Sequence, residues 1–278
     1  MTDIANIQNL ATAANTVTNV SLHRVNADNA TVGTSFETVS NVDANATRLA
    51  SAGDGIEIDG AHAEDTAAGV GGREVTVKGL DTNFAVKEST IATSGTTPVE
   101  NGVGAWTFVN EMYISSVGSN LRSTGILTLL DDGAGGTLGQ IDAGQVNMQN
   151  CMWKVPDGHT GYVHGFWYNV LAVAAPVGGV RFQLQLSQHG LQGVVNSEVW
   201  ETLAEVYMDE PDDAIAVNEA TKSPGQQYFV FPGGPVVIPA KGLVQLAALA
   251  TSTAASVMGG FNIAIQGSGS GTTITESV

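Results

Sequence analysis

The segment Asp65–Asp81 changes from a loop into a strand within a few residues, and this change constrains the fold more than any other feature of the chain. Its first half is rich in glycine and alanine and offers little to bury. From Val75 to Lys78, β-branched and polar residues alternate with the period of two that is typical of a strand. Gly79 and Asp81 are turn residues that close the strand. The segment therefore predicts a glycine-rich loop that leads directly into a β-strand.

A second segment, Trp153–Val163, has the same organisation. A strand ends at Pro156, the dipeptide Asp157-Gly158 turns the chain, and an aromatic strand follows. We expect Gly71 in the first segment and Gly158 in the second to be structural glycines. These positions need a backbone conformation or a close packing that other residues do not tolerate.

The two segments resemble structural proteins of tailed-phage virions. In those proteins the patterns Asp-Thr…Gly-x-Gly-x-Arg-x-Val-x-Val-x-Gly-Leu-Asp and Val-Pro-x-Gly-x-Thr recur on β-sandwich scaffolds. The resemblance covers roughly residues 50–165 and includes no catalytic residue. It implies a virion structural protein that is made in the host cytoplasm, either a capsid decoration (cement) subunit or a head fibre. The partners it implies are further copies of the chain, as a homotrimer, and the major capsid protein or other virion proteins.

The composition favours an all-β protein with few charges. Hydrophobic residues make up 43% of the 278 residues, enough for a sizeable core, whereas charged residues make up only 13%, about half the usual share. The charges are 27 acidic and 10 basic, for a net charge of −17. Because binding to phosphate backbones and acidic membranes depends on Lys and Arg, we expect neither nucleic acid nor membrane as a partner.

Three further features concern cysteine chemistry, secretion and membrane insertion. Cys151 is the single cysteine, which excludes an intrachain disulfide and a cysteine-based metal site; its neighbours Met152 and Trp153 indicate a buried thiol. The first residues lack the basic and apolar regions of a signal peptide. The most apolar windows, 165–177 and 235–250, are too short or too interrupted to span a bilayer.

The first residues, 1–16, differ from the rest of the chain. Ile4, Ile7 and Leu10 fall at helical spacing after a possible N-cap at Asp3. We interpret this segment as an N-terminal arm whose apolar stripe binds the capsid or another partner. The alternative is a short helix that packs on the protein's own sheet.

The remainder predicts two β-sandwich or jelly-roll-like domains, because short strands and turns follow one another regularly. We expect a β-sandwich over 17–149, a jelly-roll-like domain over 150–266 and a flexible tail over 267–278. The predicted strands are Thr34–Val39, Gly55–Ile58, Val75–Lys78, Phe84–Thr93, Trp106–Ser115, Ile126–Leu130, Tyr162–Tyr168, Val180–Leu186, Val199–Met208, Val236–Ile238, Leu243–Leu249 and Phe261–Gln266.

Catalytic motifs are not apparent. His159 and His164 flank one turn and could approach a metal with Asp157, but zinc needs three or four converging ligands, and an exposed turn with a sheet residue explains them better. The Gly-x-Ser-x-Gly match at 267–271 lacks the strand and helix of a nucleophile elbow. We therefore expect no enzyme activity, no catalytic residue and no cofactor.

Two acidic segments have the oxygen density that calcium prefers. One contains Asp54, Glu57 and Asp59, and the other spans Asp209–Asp213. Neither has the spacing of an EF-hand loop. We interpret the first as a strand between turns and the second as a solvated loop, so no metal site is predicted, and calcium stays an alternative at either.

Aromatic residues leave one alternative function open. A platform that stacks sugars would suit a receptor-binding tail or fibre protein that recognises a glycan on the host surface, whereas a sandwich core would leave the same residues buried. The residues concerned are Trp153, Trp167, Tyr168 and Trp200.

Overall fold

A computed structural model describes residues 20–42, 55–101, 104–132, 136–173, 179–188, 199–208, 226–251 and 254–267. All regular structure in these ranges is β-strand, which confirms the predicted all-β fold class. Within them no helix is long and apolar enough to cross a membrane. The predicted arm, Asp54, Asp209–Asp213 and residues 268–278 lie outside the described residues.

The strands of the first half of the chain are β1 (Val20–Val32), β2 (Glu37–Thr38), β3 (Ile56–Gly60), β4 (Gly72–Asp81), β5 (Val86–Ala92), β6 (Val99–Glu100), β7 (Trp106–Val117), β8 (Leu127–Asp131) and β9 (Thr137–Ile141). Those of the second half are β10 (Met152–Lys154), β11 (His159–Val173), β12 (Val180–Ser187), β13 (Glu201–Met208), β14 (Gln227–Val230), β15 (Val236–Ile238), β16 (Leu243–Ala250) and β17 (Ala255–Gly267).

Two antiparallel sheets form a large sandwich. The first has the strand order β1-β17-β11-β14, with β15 also paired to β11, and we call it sheet A. The second, sheet B, has the order β10-β16-β12-β13, with β2 paired to β16. Side chains of both sheets, among them Phe182, Leu246 and Phe261, share one buried cluster. Cys151 lies in this cluster, as predicted, with its Sγ 3.1 Å from the carbonyl oxygen of Gly259.

Strand β1 was not predicted. Its sequence mixes His, Asn and Asp with valine and alanine, which gives a low strand propensity. Its pairing with β17, from Val20↔Gln266 to Val32↔Ala255, supplies the missing stabilisation. Together with the pairing of β2 and β16, this adds residues 20–38 to the large sandwich. The domain division at residue 149 stays a prediction.

Strand β12 is buried on both faces. Val180, Phe182, Leu184 and Leu186 face the core as their spacing predicts, while Gln183 and Gln185 on the other face are only 8% and 7% exposed. The free-energy cost of burying these side-chain amides is small because they form a chain of hydrogen bonds across sheet B. Its links are Thr38 Oγ1 to Gln245 Oε1 (2.8 Å), Gln245 Nε2 to Gln185 Oε1 (2.7 Å), Gln185 Nε2 to Gln183 Oε1 (2.6 Å), and Gln183 Nε2 to Glu205 Oε2.

A small sandwich lies between β2 and β10 in the sequence. Its sheets have the orders β6-β3-β8-β9 and β5-β4-β7. They enclose a second buried cluster that includes Ile58, Val77, Trp106 and Leu129. Val75 and Val77 of β4 are fully buried, as the alternation predicts, and Thr76 between them is also buried at 2% exposure. Each of these valine side chains contributes roughly 1.5–3 kcal/mol when fully buried.

The two sandwiches meet through a third apolar cluster, formed by Leu80 and Phe108 of the small sandwich and Met152 and Leu243 of the large one. Beside it, Asn110 of β7 extends the edge of β10. Its Nδ2 donates to the carbonyl oxygen of Lys154 at 3.0 Å, and its Oδ1 accepts from the Lys154 amide at 2.8 Å. The sandwiches are thus joined by packing and by a pair of strand-like hydrogen bonds.

Candidate interaction surface

The conspicuous loop before β4 is organised by a buried carboxylate. Asp65 is fully buried. Its Oδ1 accepts hydrogen bonds from the amides of Gly72 (2.7 Å) and Thr124 (2.9 Å), and its Oδ2 accepts one from the amide of Gly125 (2.7 Å). These bonds join the start of β4 to the loop before β8. Because both oxygens are satisfied by backbone donors, the burial of this charge has a structural explanation.

Gly71 lies against this carboxylate. A Cβ atom at Gly71 would lie 2.1 Å from Oδ1 of Asp65 and 2.6 Å from Oγ1 of Thr124. Both neighbours are held by the network, so they cannot move aside at low cost. This close approach supplies a physical reason for glycine at the position, and the expected cost of replacing it stays a prediction.

The turn at Gly158 takes part in the junction between the sandwiches. Gly158 has φ +68°, a conformation that favours glycine. The neighbouring Asp157 amide donates to the carbonyl oxygen of Phe84 at 2.8 Å. Phe84 itself has φ +61°, which is uncommon for an aromatic residue. Its ring lies under two ammonium groups, with Nζ of Lys154 and Lys241 at 5.2 and 5.3 Å from the ring centre.

The histidines are placed separately. His159 Nδ1 lies 2.8 Å from the carbonyl oxygen of Asp157, in the turn, and His164 lies further along β11. Burial lowers the pKa of His164. Among the described residues, one group of side chains is close enough together to bind a metal ion, and it contains neither histidine. The arrangement fits a turn residue and a sheet residue.

The convergent acidic group is Glu57, Glu100 and Asp132, whose nearest carboxylate oxygens all lie within 4.8 Å of one another. It contains Glu57 but not Asp59 of the acidic segment for which calcium was an alternative. Partial burial, and then the charges of Asp132, Glu100 and Asp59, raise the pKa of Glu57. Glu100 and Asp132 are exposed. The neighbouring carboxylates of this solvated cluster repel one another. A cluster of exposed acidic residues is not by itself a metal site.

A shallow depression of about 450 Å³ lies near the buried carboxylate and is lined by Asn120, Arg122, Ser123, Thr124, Ala143 and Gly144. Asn120 and Arg122 are exposed. The hydroxyl of Ser123 is buried and donates to the carbonyl oxygens of Asp142 and Gln145. The depression is therefore a solvated junction of turns, and we assign no ligand to it.

The aromatic residues considered for a sugar platform are mostly packed. Trp153 and Trp167 are 5% and 8% exposed. Tyr168 packs against the core of the large sandwich, and Trp200 packs against the cluster at the junction. The ring of Trp153 also stacks on His23, with 4.2 Å between ring centres. These four residues do not form an exposed platform.

Exposed apolar side chains gather instead on the outer face of sheet A. Tyr228, Val230 and Val237 are 58%, 44% and 56% exposed. Tyr228 is paired with Trp167, and Val237 with Tyr162, both on β11. Paired residues of adjacent strands point to the same side of a sheet. We call this surface, formed by Tyr162, Tyr228, Val230 and Val237, the β14–β15 face.

This face belongs to an uncharged part of the protein. Strands β11, β14, β15 and β17 contain no Asp, Glu, Lys or Arg. The charged residues of the outer face of sheet A that the structure describes lie on β1, at Arg24 and Asp28. In a chain of net charge −17, four neighbouring strands without a charge set this surface apart. Contact between two copies here would avoid the repulsion that their acidic surfaces impose.

Sequence reasoning missed both the face and the carboxylate. The face combines residues of β11 with residues of β14 and β15, and neither edge strand shows a long alternation. Asp65 was recognised as part of a motif, but its amide donors lie 7, 59 and 60 residues away. The one sequence feature that could have indicated the face is the absence of charged residues along β11 and β17.

No protein-family model matches the chain, and no curated protein matches it. Among solved structures it is similar to a chain of infectious bursal disease virus, Gt strain, with 10% identity and a TM-score of 0.23, covering 92% of this chain and 73% of that one. It is also similar to the VP2 subviral particle of the same virus, with 9% identity and a TM-score of 0.19 over 90% and 76% of the two chains. Likeness at this level carries no inference to the function of this chain.

Proposed function

We propose that the protein is a virion structural subunit that assembles as a homo-oligomer, with a trimer as the predicted state, and decorates or cements the capsid or forms a head fibre. Its partners are other copies of itself and the major capsid protein or other virion proteins. The resemblance of the Asp65–Asp81 and Trp153–Val163 segments to tailed-phage structural proteins supports the virion assignment.

The observation that carries the assembly part of the proposal is the uncharged β14–β15 face. Soluble monomers seldom expose contiguous apolar surface without a use for it. Here Tyr228 and Val237 are more than half exposed, next to strands that carry no charge. Edge strands also present unpaired backbone groups to a neighbour. A subunit that packs against copies of itself would cover both.

The body of the protein suits a structural role because its parts are firmly joined. Asp65 fixes the loops of the small sandwich, and Asn110 with the Phe84 contact fixes the small sandwich to the large one. These contacts fit a subunit whose two sandwiches keep a fixed relative position in an assembly.

Recognition of a host glycan is not proposed, because Trp153 and Trp167 are buried and Trp200 is only partly exposed. Glycan platforms need an exposed aromatic face.

Deletion of the gene from the virus tests the proposal. We expect particles that still assemble and still adsorb to cells but lose infectivity faster on heating or at low ionic strength, and we expect added purified protein to restore their resistance. Particles that lack the protein and keep full resistance would contradict decoration or cementing. Loss of adsorption with unchanged resistance would indicate a receptor-binding protein instead.

A further inference from the structure

We infer that the β14–β15 face is the docking site for the N-terminal arm, residues 1–16, of a neighbouring copy. The inference rests on the proposed function and specifies the contact by which copies are linked. The face supplies the exposed apolar side chains Tyr228, Val230 and Val237, and the arm supplies Ile4, Ile7 and Leu10.

The two surfaces match in charge. Residues 1–19 contain one charged side chain, Asp3, and the strands of the face contain none. The whole chain carries 27 acidic residues and 10 basic ones, so two copies repel each other in general. Arm and face are therefore the parts of two copies that can approach each other with little electrostatic repulsion.

The place where β1 begins fits this contact. Val20, the first residue of β1, is paired with Gln266, and Gln266 with Thr160 of β11. Two residues further along, Leu22, Ala264, Tyr162 and Val237 form one row across sheet A. Strand β1 thus begins at the end of sheet A that carries Val237, three strand spacings or about 14 Å from β15.

The direction of β1 favours a neighbouring copy over the arm's own face. Followed backwards from Val20, the strand direction leads past the end of sheet A, away from Tyr228 and Val230. On the same copy, β17 and β11 lie between β1 and the β14–β15 face. A copy that abuts this end can receive the arm without those strands between.

Sedimentation velocity on the full chain tests the contact. We expect an oligomer at micromolar concentration, and at least tenfold weaker association for the face variant Tyr228→Gln/Val237→Gln and for the arm variant Ile7→Asn. Combining face and arm substitutions should add little, because both remove the same contact. Leu121→Gln is the matched control: Leu121 is 74% exposed but lies on the small sandwich, so association should not change.

Cysteine pairing then identifies the source of the arm. The native Cys151 is buried, so it does not compete. Ile7→Cys and Val237→Cys chains, prepared separately and mixed under mild oxidation, should form a disulfide-linked pair that contains one chain of each kind. The chain that carries both Ile7→Cys and Val237→Cys is the comparison. If it forms a disulfide only within one chain, and the mixture of single variants gives no linked pair, the inference is overturned.

A second result would also overturn it. If Ile7→Asn dissociates the oligomer but Tyr228→Gln/Val237→Gln leaves it intact and folded by circular dichroism, the arm binds elsewhere. The proposed function would survive that result, because particle resistance would still depend on the protein. The proposed function would be contradicted by a different result, namely that deletion of the gene leaves the resistance of the particles to heat and low ionic strength unchanged.

Discussion

Asp65 and Gly71 adjoin so closely that a Cβ atom at Gly71 would lie 2.1 Å from Oδ1 of Asp65. The carboxylate is held in that place by three backbone amides. The glycine and the aspartate of the conspicuous loop therefore form one structural unit, in which each residue type depends on the other.

Replacing Asp65 with asparagine should destabilise the protein by about 2–4 kcal/mol. Asparagine replaces one of the two carboxylate oxygens with an NH2 group. That NH2 group then faces a backbone amide, so two buried donors are left without an acceptor. Urea unfolding measures the change. Asp132→Asn is the control, since Asp132 is exposed in the acidic cluster and its neutralisation should not destabilise. Equal stability of the two variants would contradict the role of Asp65.

Three glycine-to-alanine variants should rank in a fixed order. Gly33→Ala should be nearly neutral, because nothing lies within 4 Å of its Cβ position. Gly158→Ala should cost about 1 kcal/mol, because Gly158 has φ +68°. Gly71→Ala should cost more than about 2 kcal/mol, because of the overlap with Asp65. Unfolding free energies in any other order would refute the assignment of Gly71.

Phe84 should couple the two sandwiches. Phe84→Ala removes the ring that lies under Lys154 and Lys241, and we expect a loss of about 1–3 kcal/mol and a broader or split thermal transition. Phe84→Gly should be less harmful than Phe84→Ala, because glycine adopts φ +61° without cost. Val86→Ala, at a 51% exposed position next to the same turn, is the control. A single sharp transition in every variant would contradict the coupling.

His23 should make the protein less stable in mild acid. Burial, and to a smaller extent the charge of Lys78, lower the pKa of His23 from 6.5 to about 4. As the pH falls below 6.5, the unfolded chain takes up a proton that the folded protein does not. The contribution of this group to stability therefore falls between pH 6.5 and about 4, by about 3 kcal/mol in all, and then levels off.

The His23→Gln variant isolates this effect. Glutamine can keep the hydrogen bond to Ser21 Oγ, which His23 Nε2 makes at 2.9 Å, but does not titrate. Urea unfolding at pH 7.5 and pH 4.5 should show a smaller loss of stability for the variant than for the native protein. An identical loss in both would show that His23 does not contribute.

The sequence predicts those elements whose side chains follow a simple period. The alternation in β4 and β12 and the turn at Asp157-Gly158 carry enough local information to place strands there. Strand β1 does not, since its His, Asn and Asp residues become strand residues only through pairing with β17. The positive φ of Phe84 belongs to the β4–β5 turn, where its amide donates to the carbonyl oxygen of Asp81 at 2.9 Å, whereas its contact with Asp157 joins residues that are distant in sequence.

The same distinction applies to the surface. Tyr228 and Val237 become neighbours only because β14 and β15 pair with successive parts of β11. The lack of charge along these strands is visible in the sequence, but which side chains remain exposed depends on the packing of two sheets. Tyr168 and Trp200, considered for glycan binding from the sequence, are drawn into apolar clusters by that packing.

The central claim is that the protein is a structural subunit of a virion, and its copy number in purified particles tests this most directly. Quantitative mass spectrometry gives the ratio of this chain to the major capsid protein in particles purified by density gradient. For a decoration or cement subunit, the account predicts a fixed ratio with copies in proportion to the capsid lattice, and a head fibre would give a fixed smaller set. Absence of the chain from infectious particles, or a trace amount that varies between preparations, would contradict it.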